Sequence, residues 1–227
     1  MMLFFVLIGI PLVLGLIAQF KVKSAFGKWK QVRASSGVTG AEAAREILRA
    51  AKIDDVEVAE INDMLGDHYD PTKKRLCLST DVYRTPSVAA LGIAAHECGH
   101  AIQHAKSYAP LKWRMAVVPM TSIASRILPF VLIGGMFIPF LFREAIIIAA
   151  VCYAALAVFQ LITLPVEFDA TKRAKLILGQ MQLIQPGEET RGVNNVLDSA
   201  ALTYLAAFVA VLGQLAYYLL ILSGNRR

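Results

Sequence analysis

The chain has 227 residues, 23 Lys and Arg against 17 Asp and Glu for a net charge of +6, and 56% hydrophobic residues. Its mean hydropathy of +0.55 excludes an ordinary soluble domain and asks for membrane spans. The positive charge needs no nucleic acid, because basic residues beside apolar runs are drawn to anionic lipid headgroups and no basic stretch here interleaves with aromatics. The three cysteines, Cys77, Cys98 and Cys152, form no CxxC pair and predict no disulfide framework.

The uncharged run 3–20 predicts a first span. No Lys or Arg precedes it and no small-x-small cleavage site follows, so it reads as an anchor and not as a signal peptide. Lys21, Lys23, Lys28, Lys30 and Arg33 come next, the kind of flank that stays on the cytoplasmic side. Over 40–52, Ala44, Ile47, Leu48 and Ala51 fall at i, i+3, i+4, i+7, which predicts an amphipathic helix with Thr39 as N-cap. Short strands are predicted at 56–61 and 76–79, separated by a turn at Asp67-His68-Tyr69-Asp70-Pro71. A strand edge of this kind could bind an extended peptide by strand addition.

Thr85-Pro86 reads as an N-cap with Pro in the first helical position, opening a helix that runs to Ala105. Within it stands His96-Glu97-Cys98-Gly99-His100. Two His at i and i+4 lie one turn apart on one helix face, the spacing that binds zinc, and the Glu between them can reach water at the metal as a general base. The rival reading is a helix whose His are ordinary hydrogen-bonding groups. Cys98, two positions from His96, points roughly 160° away from the His face and reads as a packed spectator. His104 continues the i+4 series, but three such His span about 12 Å, too far for one tetrahedral ion, so it is a supporting or surface residue. Gly92 and Gly99 lower helix propensity and imply close approach of another element or of substrate.

A second span is predicted within 116–141, its limits blurred by Arg126, Pro119, Pro129 and Pro139, and a third at 145–164, with Phe142-Arg143-Glu144 as the turn between them. Glu167 and Asp169 follow the third span, where an uncompensated carboxylate at a membrane boundary wants a cation. Glu167 is the candidate third ligand, and His-His-Glu with an open fourth position is a catalytic zinc set. The alternative is that both acids merely sit well near the positive end of a helix. Residues 171–199 are polar, with a turn and helix start at Gln185-Pro186-Gly187-Glu188-Glu189, and 200–222 is a fourth span.

Nineteen of the 23 basic residues fall in 21–114 and 165–199, so those segments share the cytoplasmic side, against the dissent of Arg226 and Arg227. The fold expected is mainly α: about four transmembrane helices with a zincin-like domain containing a small β element. Its parts are an anchor at 1–20, a catalytic domain at 21–114, two spans at 115–164, a cytoplasmic segment at 165–199 and a last span with tail at 200–227.

The stretches Asp67-His68-Tyr69-Asp70-Pro71, Ala94 through His104, Tyr108-Ala109-Pro110-Leu111 and Leu164 through Ala170, with Ala201-Leu202-Thr203-Tyr204, resemble the neutral zinc metallopeptidases of bacterial membranes, the YugP-type family, over nearly the whole chain. More distantly the chain is similar to membrane gluzincins related to the CAAX prenyl endopeptidase and HtpX. In those, HExxH is completed by a downstream Glu in an ExxxD-like motif, which implies the ligand role for Glu167. Four residues after Glu167 stands Thr171 in place of that Asp, with an acid instead at Asp169. The expectation is therefore a zinc endopeptidase of the inner membrane. Its ligands are His96, His100 and Glu167, its base is Glu97, and its substrate is a peptide or membrane protein at the cytoplasmic face. His68, Tyr69 and Tyr204 are candidates for the oxyanion stabiliser. An intramembrane site-2-type protease is disfavoured by the lack of Asn-Pro-Asp-Gly or Leu-Asp-Gly motifs, and a zinc-linked scaffold would need a fourth protein ligand.

Overall fold

The structure, a computed structural model, describes residues 2–63 and 66–224, so Arg226 and Arg227 lie outside the described residues. Among the described residues, four helices are long and apolar enough to cross a membrane. They are α1 (Met2–Trp29, with a π-helical turn at Phe5–Gly9), α5 (Ala109–Phe137), α6 (Phe142–Gln180) and α7 (Glu188–Gly224). Three of them contain an expected run and extend beyond it, because the helical ladder continues past the apolar stretch into polar sequence; α5 begins before the run expected within 116–141 and stops at Phe137, short of its expected limit. Pro119 and Pro129 lie inside α5 without ending it, as prolines do in apolar helices whose neighbours re-satisfy the freed carbonyls.

The turn expected at Phe142-Arg143-Glu144 comes earlier. Ile138 is extended, a 3₁₀ turn occupies Pro139–Leu141, and Phe142 already opens α6. Pro139 is the physical reason, since its ring drives the preceding residue out of the helical region.

The chain divides into two compact units. Of the described residues, the first comprises 2–18, 112–165 and 203–224. Its small core gathers Ala124, Leu128, Ile146, Ala149 and Tyr218, while Leu12, Phe130, Phe137 and Val151 face outward. Large apolar side chains on the outside are what a lipid-facing surface requires.

The second unit comprises Gln19–Leu111 and Val166–Leu202. Its first helix after the anchor, α2 (Gly40–Ala50), starts with a reciprocal capping box: the Thr39 hydroxyl accepts from the Glu42 N–H, and the Glu42 carboxylate accepts from the Thr39 N–H at 2.8 Å. Ala43, Ala44, Ile47 and Leu48 form its buried stripe.

Three strands follow, β1 (Glu57–Ile61), β2 (His68–Asp70) and β3 (Arg75–Ser79), in the order β1-β3-β2. β1 runs parallel to β3 with Glu57 opposite Arg75, and β2 runs antiparallel with His68 opposite Cys77. The segment expected as a turn thus supplies an edge strand. The turn itself lies just beyond it, where the Asp70 carboxylate accepts from the N–H groups of Thr72 and Lys73 and Lys74 takes a positive φ of 48°.

A short helix, α3 (Thr80–Arg84), leads into α4 (Val88–Ala105). The cap of α4 is Ser87 and not Thr85: the Ser87 hydroxyl accepts from the Ala90 N–H at 3.1 Å, while Thr85 is the extended residue that closes α3. The segment after α1 secures this start. Val88 N–H donates to the Val32 carbonyl and Ala34 N–H to the Pro86 carbonyl, both at 2.9 Å. One of the orphan donors of the helix is thereby satisfied.

Helix α4 is the centre of the unit, packed by α2, by Leu76 and Leu78 of β3, and by Ala174, Leu178, Val193 and Leu197. Gly99 explains how α6 comes so near. A Cβ there would stand 2.8 Å from the carbonyl oxygen of Ala170 and 3.1 Å from its Cα, so only glycine allows the two backbones to touch.

Candidate metal centre

Gly99 lies between His96 and His100 on α4, and Ala170 lies between Glu167 and Thr171 on α6, so the contact of backbones juxtaposes four polar side chains. Ligand atoms of His96, His100 and Glu167 fall within 4.8 Å of one another. Glu167 Oε2 is 3.3 Å from His96 Nε2 and 3.5 Å from His100 Nε2, and the two imidazoles meet edge to face at 4.8 Å.

These lengths have a chemical meaning. A tetrahedral zinc with bonds of about 2.0–2.1 Å separates its ligand atoms by roughly 3.3–3.4 Å. Two edges of the triangle match that. The Glu167 side chain is only 2% exposed, and a carboxylate so buried must be paired. The donor set of two imidazole nitrogens and one carboxylate oxygen therefore suits zinc. No fourth His, Cys, Asp or Glu belongs to this group among the described residues.

The other candidates take distinct places. Glu97 is buried on α4. Burial opposes charge on His100, but the Glu167 hydrogen bond and the charges of Glu97 and Glu167 outweigh it and raise the His100 pKa above its ordinary value. Thr171 has its Oγ1 3.3 Å from His96 Nδ1. Asp169 faces Arg173, with Nε–Oδ2 at 2.5 Å, and does not join the ligand group.

His68 is bound into its own turn, Nδ1 lying 2.7 Å from the Gly66 carbonyl. Tyr69 OH is 2.8 Å from His104 Nδ1, so those two candidates are engaged with each other, and burial pushes the Tyr69 hydroxyl up to about 12. Tyr204 belongs to the other unit. Cys98 is fully buried, its Sγ 3.6 Å from the Ala44 carbonyl, and burial raises its thiol pKa.

One residue at the centre was not singled out from sequence. Gln103 is 0% exposed; its Oε1 is 3.0 Å from His100 Nδ1, and its Nε2 donates to the Val166 carbonyl and to Asp169 Oδ2, each at 2.8 Å. Its position three after His100, on the same helix face, was the available signal.

A sequence model of the family described as "Putative neutral zinc metallopeptidase" matches residues 4–223. The chain is 44% identical over 225 residues, 99% of each of the two chains, to a Bacillus subtilis (strain 168) protein described as "Putative membrane protease YugP". No solved structure matches the chain.

Proposed function

From the premise that the chain belongs to the neutral zinc metallopeptidase family, we propose that it is a membrane-bound endopeptidase that hydrolyses peptide bonds of membrane or membrane-proximal proteins at the cytoplasmic face of the bacterial inner membrane. The observation that carries this reading is the convergence of His96, His100 and Glu167, with Glu97 buried on the same helix as the two His. The bias of basic residues toward 21–114 and 165–199 supports the cytoplasmic placement.

His96, His100 and Glu167 would hold the metal. When bound, zinc supplies a Lewis acid that polarises the scissile carbonyl and makes water acidic enough to lose a proton near neutral pH. Glu97 is the general base: it accepts the proton of the attacking water and delivers it to the leaving amine nitrogen as the C–N bond breaks. Burial of Glu97 keeps bulk water from competing for that proton. The β2 edge beside α4 suits an extended peptide, which would add as a further strand.

The test is zinc analysis of the purified full chain together with cleavage of a membrane-protein library. One bound zinc per chain and chelator-sensitive cleavage are expected. A protein that carries no zinc after metal loading, or that cleaves equally with and without chelator, overturns the reading.

A further inference from the structure

Gln103 carries more information than its burial. A buried amide offers one acceptor oxygen and two N–H donors. The Val166 carbonyl and the ionised Asp169 carboxylate can only accept, so the nitrogen end of Gln103 must face them. The oxygen end then faces His100, and since it too can only accept, His100 Nδ1 must carry the hydrogen. The remaining nitrogen, Nε2, is the atom 3.5 Å from Glu167 Oε2 and is the one left to face a metal held between the two side chains.

We propose that Gln103 is a positioning residue of the zinc site: it fixes the tautomer and the ring orientation of His100 and ties that ring to the turn of α6 that presents Glu167. This rests on the reading of His96, His100 and Glu167 as the metal ligands. The tie is continuous, because Arg173 donates to Asp169 at 2.5 and 3.3 Å, Asp169 accepts from Gln103, and Gln103 accepts from His100.

The chain thus supplies the support for its second His from the HExxH helix itself, three residues on, using an amide held by Asp169. The His96 arm is looser. Its partner Thr171 lies at 3.3 Å and its hydroxyl can either donate or accept, so it does not by itself dictate a tautomer.

The experiment measures the zinc dissociation constant of the detergent-solubilised full chain by competition with a chromogenic chelator, alongside the unfolding temperature of the zinc-free protein. Gln103→Leu is expected to weaken zinc binding about 10- to 100-fold, the range for partners that orient a metal-bound His. Asp169→Ala, at a partly exposed position, removes the anchor without opening the core and is expected to weaken zinc severalfold even if Gln103→Leu does not fold. A zinc constant within about twofold of the parent in Gln103→Leu or Asp169→Ala, with only the unfolding temperature lowered, overturns the proposal. Undiminished zinc binding by His100→Ala would instead overturn the ligand assignment on which it rests.

Discussion

The carbonyl oxygen of Ala170 lies 2.8 Å from the point where a Cβ on Gly99 would stand. This backbone contact sets the distance between the helix that carries two candidate ligands and the helix that carries the third. Gly99→Ala gains about 1 kcal/mol of helix propensity but forces apart two buried backbones, an overpacking that costs about 1–3 kcal/mol. A lower unfolding temperature and weaker zinc binding are expected together, measured by thermal unfolding and metal competition. An alanine variant with parental zinc affinity would show that Gly99 does not set the ligand spacing.

Glu97→Gln separates chemistry from binding. The amide keeps the shape of the side chain but takes no proton, so hydrolysis should fall at least about 100-fold. Zinc stoichiometry and unfolding temperature should stay near the parent values. Full hydrolytic activity in this variant would remove Glu97 from the role of base.

Glu167→Ala leaves His96 and His100 without their carboxylate partner. At limiting metal the zinc content should fall well below one per chain, with His96→Ala behaving alike. Unchanged stoichiometry in Glu167→Ala would shift the third ligand elsewhere on the chain.

Asp67 predicts a pH effect on stability. Burial raises its carboxyl pKa; the backbone N–H and hydroxyl of Ser79 lower it in part, and the charge of Glu97 raises it again. A carboxyl whose folded pKa lies above its unfolded value stabilises the fold below the unfolded value and loses that contribution as pH rises through the folded one. Asp67→Asn keeps an acceptor for Ser79 and should flatten this slope. Unfolding temperature followed across the acidic range should therefore converge between parent and variant at low pH and diverge above the carboxyl range.

Much of this was legible in the residues because it depends on local pattern. The apolar runs mark the four helices, Thr39 and Glu42 announce the start of α2, and the i, i+4 spacing of His96 and His100 follows from the geometry of one helix. Glu167 was named from its place after a span, and the structure brings its carboxylate to both imidazoles. What escaped depends on distant partners. His68-Tyr69-Asp70 carries turn residues yet pairs as a strand, because β3 provides its ladder. Thr85 has the chemistry of a cap, but the Arg33–Ser87 bridge determines where α4 begins. Gln103 looks like any polar helical residue until α6 supplies Val166 and Asp169.

Between His100 and Glu167 the chain makes two apolar helices, the whole of α5 and the first part of α6. The protein therefore cannot assemble its three-residue cluster from one contiguous stretch. During synthesis both imidazoles are made well before the carboxylate, and the long hairpin must be completed before all three can meet. A chain still being made thus lacks one member of the cluster until elongation has passed the whole of the second apolar run.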